Sequence, residues 1–433
     1  MSRNEAQTRR ELIDPKLRDC GWTEDLIRIE RTVGGTEIIS GKPHKRKGRT
    51  DYLLCLPAGP GQSPLAVAII EAKKETEFPV LGMQQALDYR RRFNVPFVFS
   101  TNGHLYAEWA EDTAQTVDNM PLAQFPTPDQ LRARYEAIKG YVLSDQQAQA
   151  LLVSYKGGEA ARWYFQDAAI RAALEKIAQG GNRVLLSLAT GTGKTIIAVQ
   201  LLHKLAQAGQ LRRALFVCDR DELRTQGWAK MHAVFGDNAK IVTTSNPQKN
   251  ARILIASYQT LNIMDADDDP RFWRENYPPG FFSHVIIDEC HRSAWGKWSI
   301  ILTDNPDAIQ IGLTATPRIV TGGRRTDPAR QTDEAITAHN LAYFGEPVYE
   351  YPMWMGQEDG YLAASEVVRR VVDLDQREIT REDIEQRTAT DPFTGQRVEP
   401  DEIEERYAAV QYEERLMLPD RVRAMCADLF QHL

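Results

Sequence analysis

Short apolar runs separated by polar turns fill the first 110 positions of the chain. Runs of four to eight residues that are rich in Val, Ile, Leu and Phe are typical of strands. The predicted strands cover 51–56, 65–71 and 97–100. A polar, helix-like stretch at about 80–93 separates the last two, and a capping-box pattern at Ser2 and Glu5 predicts a helix that ends near Cys20. The pattern predicts an α/β domain over 1–120.

From about residue 160 the predicted strands alternate with helices of ten or more residues. This alternation is typical of βαβ units, which build a doubly wound parallel sheet. The predicted strands cover 184–188, 214–218, 253–256, 284–287 and 309–313. Beyond about 345 the strand runs end, and the sequence is acidic until an amphipathic stretch at 420–433. The predicted organisation is an α/β domain (1–120), a Pro-punctuated linker (121–155), a doubly wound domain (156–345) and an acidic, helical segment (346–433).

Composition places the chain among globular proteins of several domains. The 433 residues are 42% hydrophobic, and at roughly 150 residues per domain this length predicts two to four domains. No apolar run approaches the ~18 residues that a membrane helix needs, and the charged N-terminus excludes a signal peptide. The five cysteines lack any C-x-x-C pair, which excludes a zinc ribbon. We therefore expect a cytoplasmic protein with reduced thiols and no membrane partner.

The net charge of −7 taken alone argues against nucleic-acid binding. Its distribution changes this view, because the segment 373–405 holds 12 acidic and 4 basic residues. The rest of the chain is therefore nearly neutral, and it contains basic runs at 42–49 and 90–92. Local positive patches of this kind are what phosphate contacts require.

A glycine-rich turn lies between a predicted strand and a predicted helix, with the sequence Ala-Thr-Gly-Thr-Gly-Lys-Thr at 189–195. Its glycines allow the backbone to approach phosphate oxygens, and the helix N-terminus adds a positive dipole. The lysine offers a charge to the β- and γ-phosphates, and the final threonine offers a hydroxyl to Mg²⁺. The predicted ATP-binding residues of this loop are Thr190, Gly191, Thr192, Gly193, Lys194 and Thr195.

An acidic pair, Asp288 and Glu289, follows the predicted strand 284–287. The carboxyl ends of parallel strands border the crevice in which such sheets bind ligands. We expect Asp288 to join the Mg²⁺ shell and Glu289 to orient and deprotonate the attacking water. An acidic strand end alone is a weak signal, and the preceding glycine-rich loop makes it a strong one.

Carboxylates and a lysine mark a second site in the first domain. Asp51 begins one predicted strand, and Glu71 and Lys73 end the next, where residues two apart share a face. Two carboxylates on neighbouring strands can hold Mg²⁺, and the lysine can stabilise the negative charge that develops during phosphodiester cleavage. The helix that follows presents Gln85 and Tyr89 on one face, and the first helix adds a further acid, Glu11. The alternative, a solvated strand end, stays open on these residues alone.

Three motifs of the second domain resemble those of superfamily-two helicases and DNA translocases. They are the loop at 189–195, Asp288-Glu-Cys-His291 and Leu313-Thr-Ala-Thr-Pro317. The resemblance implies ATP as a cofactor, an adenine contact from Gln166, and coupling of nucleotide state to DNA through His291, Thr314 and Thr316. Packing of His291 and turn capping by the two threonines remain alternatives.

Asp51, Glu71 and Lys73 resemble the PD-(D/E)xK nuclease core, with Thr50 where many members have proline. The segment Gln85-Ala-Leu-Asp-Tyr89 resembles the Q-x-x-x-Y element of the restriction (R) subunits of type I restriction-modification enzymes. That resemblance covers nearly the whole chain. It implies ATP-dependent translocation on double-stranded DNA, Mg²⁺-dependent double-strand cleavage, and methyltransferase (M) and specificity (S) subunits as partners.

Motors of this kind need two RecA-like lobes, because the second lobe supplies an arginine to the transferring phosphoryl group. Only 116 residues follow Pro317, and acidic residues outnumber basic ones among them. We therefore expect the N-terminal part of a longer subunit, which binds ATP with little turnover. Two other hypotheses stay open: a non-catalytic module that docks on DNA or on partner subunits, and a stand-alone helicase-nuclease for DNA repair.

Overall fold

A computed structural model describes most of the chain, in two compact units, Met1–Ala364 and Ser365–Leu433. The described residues are 3–39, 42–157, 163–218, 221–261, 271–288, 290, 299–315, 340–363, 379–385, 389–390, 397–398, 406–407 and 418–432. The first unit contains two sheets, and they match the two α/β stretches that the apolar pattern predicts.

The N-terminal helix has three consecutive parts, α1 (Glu5–Thr8), a π-helical turn (Arg9–Ile13) and α2 (Asp14–Asp19). Its capping box is formed by Asn4 and Gln7, which exchange side-chain to backbone hydrogen bonds of 2.9 and 3.0 Å. The prediction of Ser2 as the cap is therefore wrong by two positions, because the helix begins at Glu5 and its N-cap is Asn4.

The first sheet has six strands in the order of the sequence. They are β1 (Ile27–Ile39), β2 (Lys42–Leu56), β3 (Leu65–Ala72), β4 (Phe97–Thr101), β5 (Leu105–Ala110) and β6 (Thr116–Pro121). All neighbours are antiparallel except β3 and β4, which are parallel and are joined through a 3₁₀ turn (Pro79–Gly82) and helix α3 (Met83–Phe93). The three predicted strands are confirmed as parts of β2, β3 and β4.

The segment predicted as a linker contains a packed helix, α4 (Pro128–Lys139). Thr127 and Gln130 form its capping box, and Gly140 ends it in the left-handed conformation. Leu131 and Tyr135 are buried, so this helix belongs to the core of the first domain. A short helix, α5 (Gln149–Leu152), follows.

The second sheet has seven parallel strands in the order β13-β7-β12-β11-β8-β10-β9. They are β7 (Arg183–Leu188), β8 (Ala214–Cys218), β9 (Ala239–Ile241), β10 (Ile253–Ser257), β11 (His284–Ile287), β12 (Ile309–Thr314) and β13 (Tyr349–Tyr351). The helices of this domain are α6 (Tyr164–Ala178), α7 (Lys194–Gln207), α8 (Asp221–Phe235), α9 (Arg271–Asn276), α10 (Ser299–Thr303), α11 (Asn340–Phe344) and α12 (Met353–Glu358). The prediction of a doubly wound parallel sheet is confirmed.

The predicted end of strand structure at 345 is wrong, because β13 lies beyond it and pairs with β7. This strand has only three residues, Tyr-Glu-Tyr, too few for a recognisable apolar run. The hydroxyl of Tyr349 also donates to the carbonyl oxygen of Arg92 at 2.7 Å, so β13 contacts the helix α3 of the first domain as well.

A buried ion pair joins the two sheets of the first unit. Arg92, near the end of α3, donates to Asp359 and, at 2.7 Å, to Glu358. The Asp359 carboxylate also accepts hydrogen bonds from the hydroxyls of Tyr164 and Tyr351. Since helix α3 carries Gln85 and Tyr89, and α6 begins at Tyr164, this junction links the elements that carry the two predicted sites.

The second unit contains a two-stranded antiparallel pair, β14 (Ile379–Thr380) with β15 (Arg406–Tyr407). Helix α13 (Arg381–Glu385) follows the first of these strands, and helix α14 (Pro419–His432) confirms the predicted amphipathic stretch at 420–433. Within the described ranges, none of the helices has both the length and the apolar character that crossing a bilayer requires.

Candidate functional site

Asp51, Glu71 and Ser100 form a row across three neighbouring strands of the first sheet. The register pairs Tyr52 with Ile70, so the next step along the antiparallel strands places Asp51 opposite Glu71. On the other side, Glu71 pairs with Ser100 of β4. Paired residues of neighbouring strands share a face, at about 5 Å between their β carbons. The two predicted carboxylates are therefore neighbours, although they lie twenty positions apart.

Asp51 is buried, and two donors hold its carboxylate. Its Oδ1 accepts from the Nη1 of Arg9 at 2.9 Å, and its Oδ2 accepts from the backbone N–H of Ala72 at 2.7 Å. Burial raises the pKa of this carboxyl, while the Ala72 N–H and the Arg9 guanidinium act to lower it. These contacts fix the orientation of the side chain at the sheet surface.

Glu71 is only 4% exposed, and its two oxygens differ. Oε1 accepts from the Nζ of Lys73 at 3.1 Å, whereas Oε2 is buried without a hydrogen-bond partner. Burial and the nearby negative charge of Asp51 raise the pKa of Glu71 to about 8, although Lys73 acts to lower it. An unpartnered buried oxygen is rare and costly. A divalent cation between the two carboxylates would supply the missing partner and stabilise both charges.

The residue types fit Mg²⁺ in particular. This ion keeps several of its waters and is commonly bound through one or two carboxylates. In the part of the chain that the structure describes, no three His, Cys, Asp or Glu side chains form a group that could hold a metal. The site thus offers the Asp51–Glu71 pair, which suits a partly hydrated ion.

Lys73 connects this pair to helix α3. Its Nζ donates to the Oε1 of Gln85 at 3.2 Å, in addition to Glu71. The Nε2 of Gln85 in turn donates to the hydroxyl of Tyr89 at 3.4 Å, so the two residues share one face of the helix. The structure therefore brings Asp51, Glu71, Lys73, Gln85 and Tyr89 into one chain of contacts.

Glu11 was expected to add a further acid to the carboxylate site, but it pairs with Arg3 instead. Its Oε2 accepts from the Nε of Arg3 at 2.9 Å, and its side chain is 42% exposed. The residue of the first helix that contacts the Asp51 carboxylate is Arg9, whose Cζ also lies 5.0 Å from the centre of the Tyr52 ring. The π-helical turn of Arg9–Ile13 carries both residues, and π-turns are frequent at functional sites.

The glycine-rich loop of the second domain links β7 to α7. Gly191 and Gly193 have φ angles of +87° and +82°, which favour glycine, and the helix begins at Lys194. The Nζ of Lys194 donates to the carbonyl oxygen of Leu188 at 3.3 Å. Thr192 closes the loop through its hydroxyl, which donates to the carbonyl oxygen of Ala189 at 2.6 Å. Thr190 and Thr195 flank these positions. The backbone therefore has the cradle shape that phosphate binding requires.

Gln166 contacts this loop directly. Its Nε2 donates to the carbonyl oxygen of Thr192 at 2.9 Å, and its Oε1 accepts from the backbone N–H of Trp163 at 3.3 Å. The side chain is buried at the start of α6. The structure thus places the residue expected to contact adenine against the phosphate loop.

The strand order brings three predicted motifs to one end of the second sheet. Strand β12 lies between β7 and β11, and its Thr314 pairs with Ser187, close to the loop. Asp288 follows β11, is buried, and donates its N–H to the carbonyl oxygen of Val217 at 2.9 Å. Lys194, Asp288 and Thr314 therefore meet at the carboxyl edge of the sheet. The other predicted residues of this site, Glu289, His291 and Thr316, lie outside the described residues.

Comparison with known proteins finds relatives that match most of this chain. A curated relative, the endonuclease subunit of the type I restriction enzyme EcoAI from Escherichia coli, is 33% identical over 83% of this chain. A solved fragment assigned as an HsdR subunit of a type I restriction enzyme from Vibrio vulnificus YJ016 is also 33% identical, covers 83% of this chain and superposes with a TM-score of 0.63. The chain is a homologue of type I restriction endonuclease subunits.

The chain matches only part of the length of these relatives. This R-subunit homologue covers 43% of the EcoAI subunit and 61% of the Vibrio fragment. The endonuclease subunit of EcoKI from Escherichia coli K12 matches 98% of the chain at 23% identity, over 40% of its own length. Residues 162–319 also match the family model of the type III restriction enzyme res subunit, which agrees with the helicase-like motifs.

Two residues at the carboxylates of this R-subunit homologue are absent from the sequence-based predictions. Arg9 belongs to a π-turn, and its partner Asp51 lies 42 positions away, so no local pattern predicts their contact. Ser100 is the first polar residue after a short apolar run, and its place beside Glu71 follows from strand register. Both become visible only when distant segments pack together.

Proposed function

We propose that this R-subunit homologue cleaves DNA by Mg²⁺-dependent hydrolysis at Asp51, Glu71 and Lys73. The observation that carries the proposal is the buried Glu71, whose Oε2 has no partner while its Oε1 contacts Lys73 at 3.1 Å. A buried acid with a strongly raised pKa beside a second carboxylate and a lysine is typical of catalytic sites.

Each residue has a distinct part in this proposal. Asp51 and Glu71 would hold Mg²⁺, which when bound lowers the pKa of a coordinated water and polarises the phosphodiester. Arg9 and the Ala72 N–H keep Asp51 oriented toward the sheet surface. The Lys73 ammonium stabilises negative charge that develops on the phosphate oxygens. Gln85, which is held by Tyr89, fixes the direction of that ammonium.

The second sheet is proposed to bind ATP with Mg²⁺ and to drive translocation on double-stranded DNA. Thr190, Gly191, Thr192, Gly193, Lys194 and Thr195 would cradle the phosphates, with Thr195 and Asp288 on the metal and Gln166 beside the adenine. Glu289 is proposed as the base for the attacking water, and His291, Thr314 and Thr316 as coupling residues. The support is the convergence of Lys194, Asp288 and Thr314 at one sheet edge.

The relatives support a proposal about the partners of this chain. Both the EcoAI and the EcoKI subunits are named as parts of type I restriction enzymes. We propose that this chain likewise acts on double-stranded DNA in a complex with M and S subunits, because its relatives are subunits of such enzymes.

The lysine variant Lys73→Ala tests the nuclease half. We expect nicking of supercoiled plasmid in Mg²⁺ to fall by about 100-fold or more, since an aligned electrostatic group contributes on this scale. ATP affinity, measured with a fluorescent analogue, should stay unchanged.

The neighbouring lysine offers a matched control. Lys74 is 55% exposed and pairs with Glu77 at 3.4 Å, away from the carboxylate pair. The variant Lys74→Ala should therefore nick plasmid at the wild-type rate. Equal nicking by the two variants would overturn the assignment of Lys73.

A further inference from the structure

The 3₁₀ turn Pro79–Gly82 passes close to the proposed nuclease site on its way from β3 to α3. Gly82 precedes the first residue of α3, with φ −84° and ψ −13°. Every L-residue adopts this conformation, so the backbone angles do not require a glycine here. The reason for a residue without a side chain must lie in the surrounding space.

A β carbon at position 82 would have no room. It would lie 2.2 Å from the Oγ of Ser100, 2.7 Å from the Cε of Lys73 and 3.2 Å from the Cβ of Ser100. Attractive contacts between carbon atoms begin only near about 3.5 Å. The bare α carbon therefore leaves open the path along which the Lys73 side chain reaches Glu71 and Gln85.

Ser100 forms the other wall of this space. It is fully buried, and its Oγ has no hydrogen-bond partner. It pairs with Glu71 in the register of β3 and β4, so it occupies the same face of the sheet. A side chain at position 82 would therefore have to displace both the Ser100 hydroxyl and the Lys73 side chain, and the longer, more flexible Lys73 side chain would move farther.

We propose that Gly82 is a positioning residue for Lys73: its bare α carbon, packed against Ser100, holds the lysine ammonium between Glu71 and Gln85. The inference rests on the proposed nuclease function for its catalytic meaning, but the geometric claim can be tested without cleavage. Gly82 itself does not contact substrate in this proposal.

The direct test is amine reactivity, measured by mass spectrometry during reductive methylation of the full chain. The Lys73 side chain is 15% exposed and paired, whereas Lys74 is 55% exposed and serves as an internal standard on the same peptide. In Gly82→Ala we expect the rate of Lys73 relative to Lys74 to rise about fivefold or more, because the displaced ammonium loses its partners. An unchanged ratio would overturn the proposal.

A second variant separates positioning from local unfolding. Ser100→Gly removes the atoms at 2.2 and 3.2 Å, so the turn in Gly82→Ala/Ser100→Gly can shift away from the lysine. We expect this double variant to recover most of the wild-type protection of Lys73. A ratio that stays as high as in Gly82→Ala would contradict the assigned mechanism. Gly59→Ala is the matched control, since its β carbon would meet only the flexible end of Gln62, and it should leave the ratio unchanged.

Plasmid nicking then connects the geometry to catalysis. Under single-turnover conditions Gly82→Ala should lower the cleavage rate about 100-fold, the cost of a 1 Å misplacement, with DNA and Mn²⁺ affinities unchanged. Increased labelling of Lys73 with wild-type nicking would show that the proposed function of Lys73 fails. Wild-type labelling and nicking in Gly82→Ala, with cleavage lost in Lys73→Ala, would show that only the role of Gly82 fails.

Discussion

The two sites of the first unit are built in opposite ways. The phosphate loop of the second sheet is contiguous, and its shape comes from two glycines with positive φ and from the start of one helix. The carboxylate site of the first sheet is assembled from segments that lie far apart, namely Arg9, Asp51, Glu71, Lys73 and Gln85. A backbone cradle binds an anion with neutral dipoles, whereas a carboxylate pair must concentrate buried negative charge.

This difference has an energetic consequence. The carboxylate site raises the pKa of Glu71 to about 8, through burial and through repulsion from Asp51. The site thus stores unfavourable electrostatic energy that a cation relieves, and proton and cation compete for it. The phosphate loop carries no comparable acid of its own.

Metal affinity at the carboxylate pair should depend strongly on pH. Glu71 keeps its proton in the folded protein up to about pH 8, well above its ordinary pKa of 4.5, so below that pH an ion must displace the proton. We expect Mn²⁺ affinity, followed by electron paramagnetic resonance, to fall about 50-fold from pH 8 to pH 6, and by about tenfold for each further pH unit below that.

Two carboxyl variants test whether Glu71 causes this pH dependence. Glu71→Gln should lose most of the affinity and the pH dependence together. Glu11→Gln is the control, because Glu11 is exposed and pairs with Arg3, and it should bind Mn²⁺ as the wild type does. If the Mn²⁺ affinity of the wild type did not change with pH, the proposed electrostatic difference between the two sites would be wrong.

Lys194→Ala tests the independence of the phosphate loop. We expect ATP affinity to fall about 10- to 100-fold, since a charge-assisted contact contributes about 1.5–3 kcal/mol. Plasmid nicking without ATP should be unchanged. Lys249→Ala, a variant of an exposed lysine whose Nζ contacts only a backbone carbonyl at 3.4 Å, provides the control. Loss of nicking in Lys194→Ala at zero ATP would show that the sites are not separable.

The junction between the sheets should respond to Asp359→Asn. The Asp359 side chain is fully buried and pairs with Arg92, so its neutralisation leaves a poorly compensated guanidinium. We expect the free energy of unfolding to fall by about 2–3 kcal/mol, measured by urea denaturation. Glu358→Gln alters the exposed partner of the same arginine and should cost less than about 1 kcal/mol. Equal losses would mean that burial does not distinguish these two pairs.

The same contrast explains which features of the fold and of the two sites can be predicted from the sequence. The loop at 189–195 is predictable because all its chemistry is local, and Glu71 and Lys73 are predictable because a strand sends alternate residues to one face. The parallel sheet follows from alternating strands and helices. These features depend on residues that are close together in the chain, so the local sequence pattern predicts them.

Features that depend on packing between distant segments cannot be predicted from the pattern of apolar and polar residues. Arg9, at the start of a π-turn, contacts Asp51 across 42 positions of the chain, and Glu11 pairs instead with Arg3. Gly82 is a single glycine at the start of a helix until Ser100 and Lys73 are placed beside it. Strand β13 is three residues long, and its partner residues in β7 lie 163 positions earlier. Register and docking, rather than local propensity, determine each of these.

The central claim is that Glu71 is a buried acid beside a second carboxylate and is prepared to receive a divalent ion. Its most direct test is a ¹³C NMR titration of the Glu71 carboxyl carbon, assigned by comparison with Glu71→Gln, with and without Mg²⁺. We predict a pKa of about 8 without the ion and a pKa several units lower with saturating Mg²⁺. A pKa near 4.5 that Mg²⁺ does not change would contradict the account.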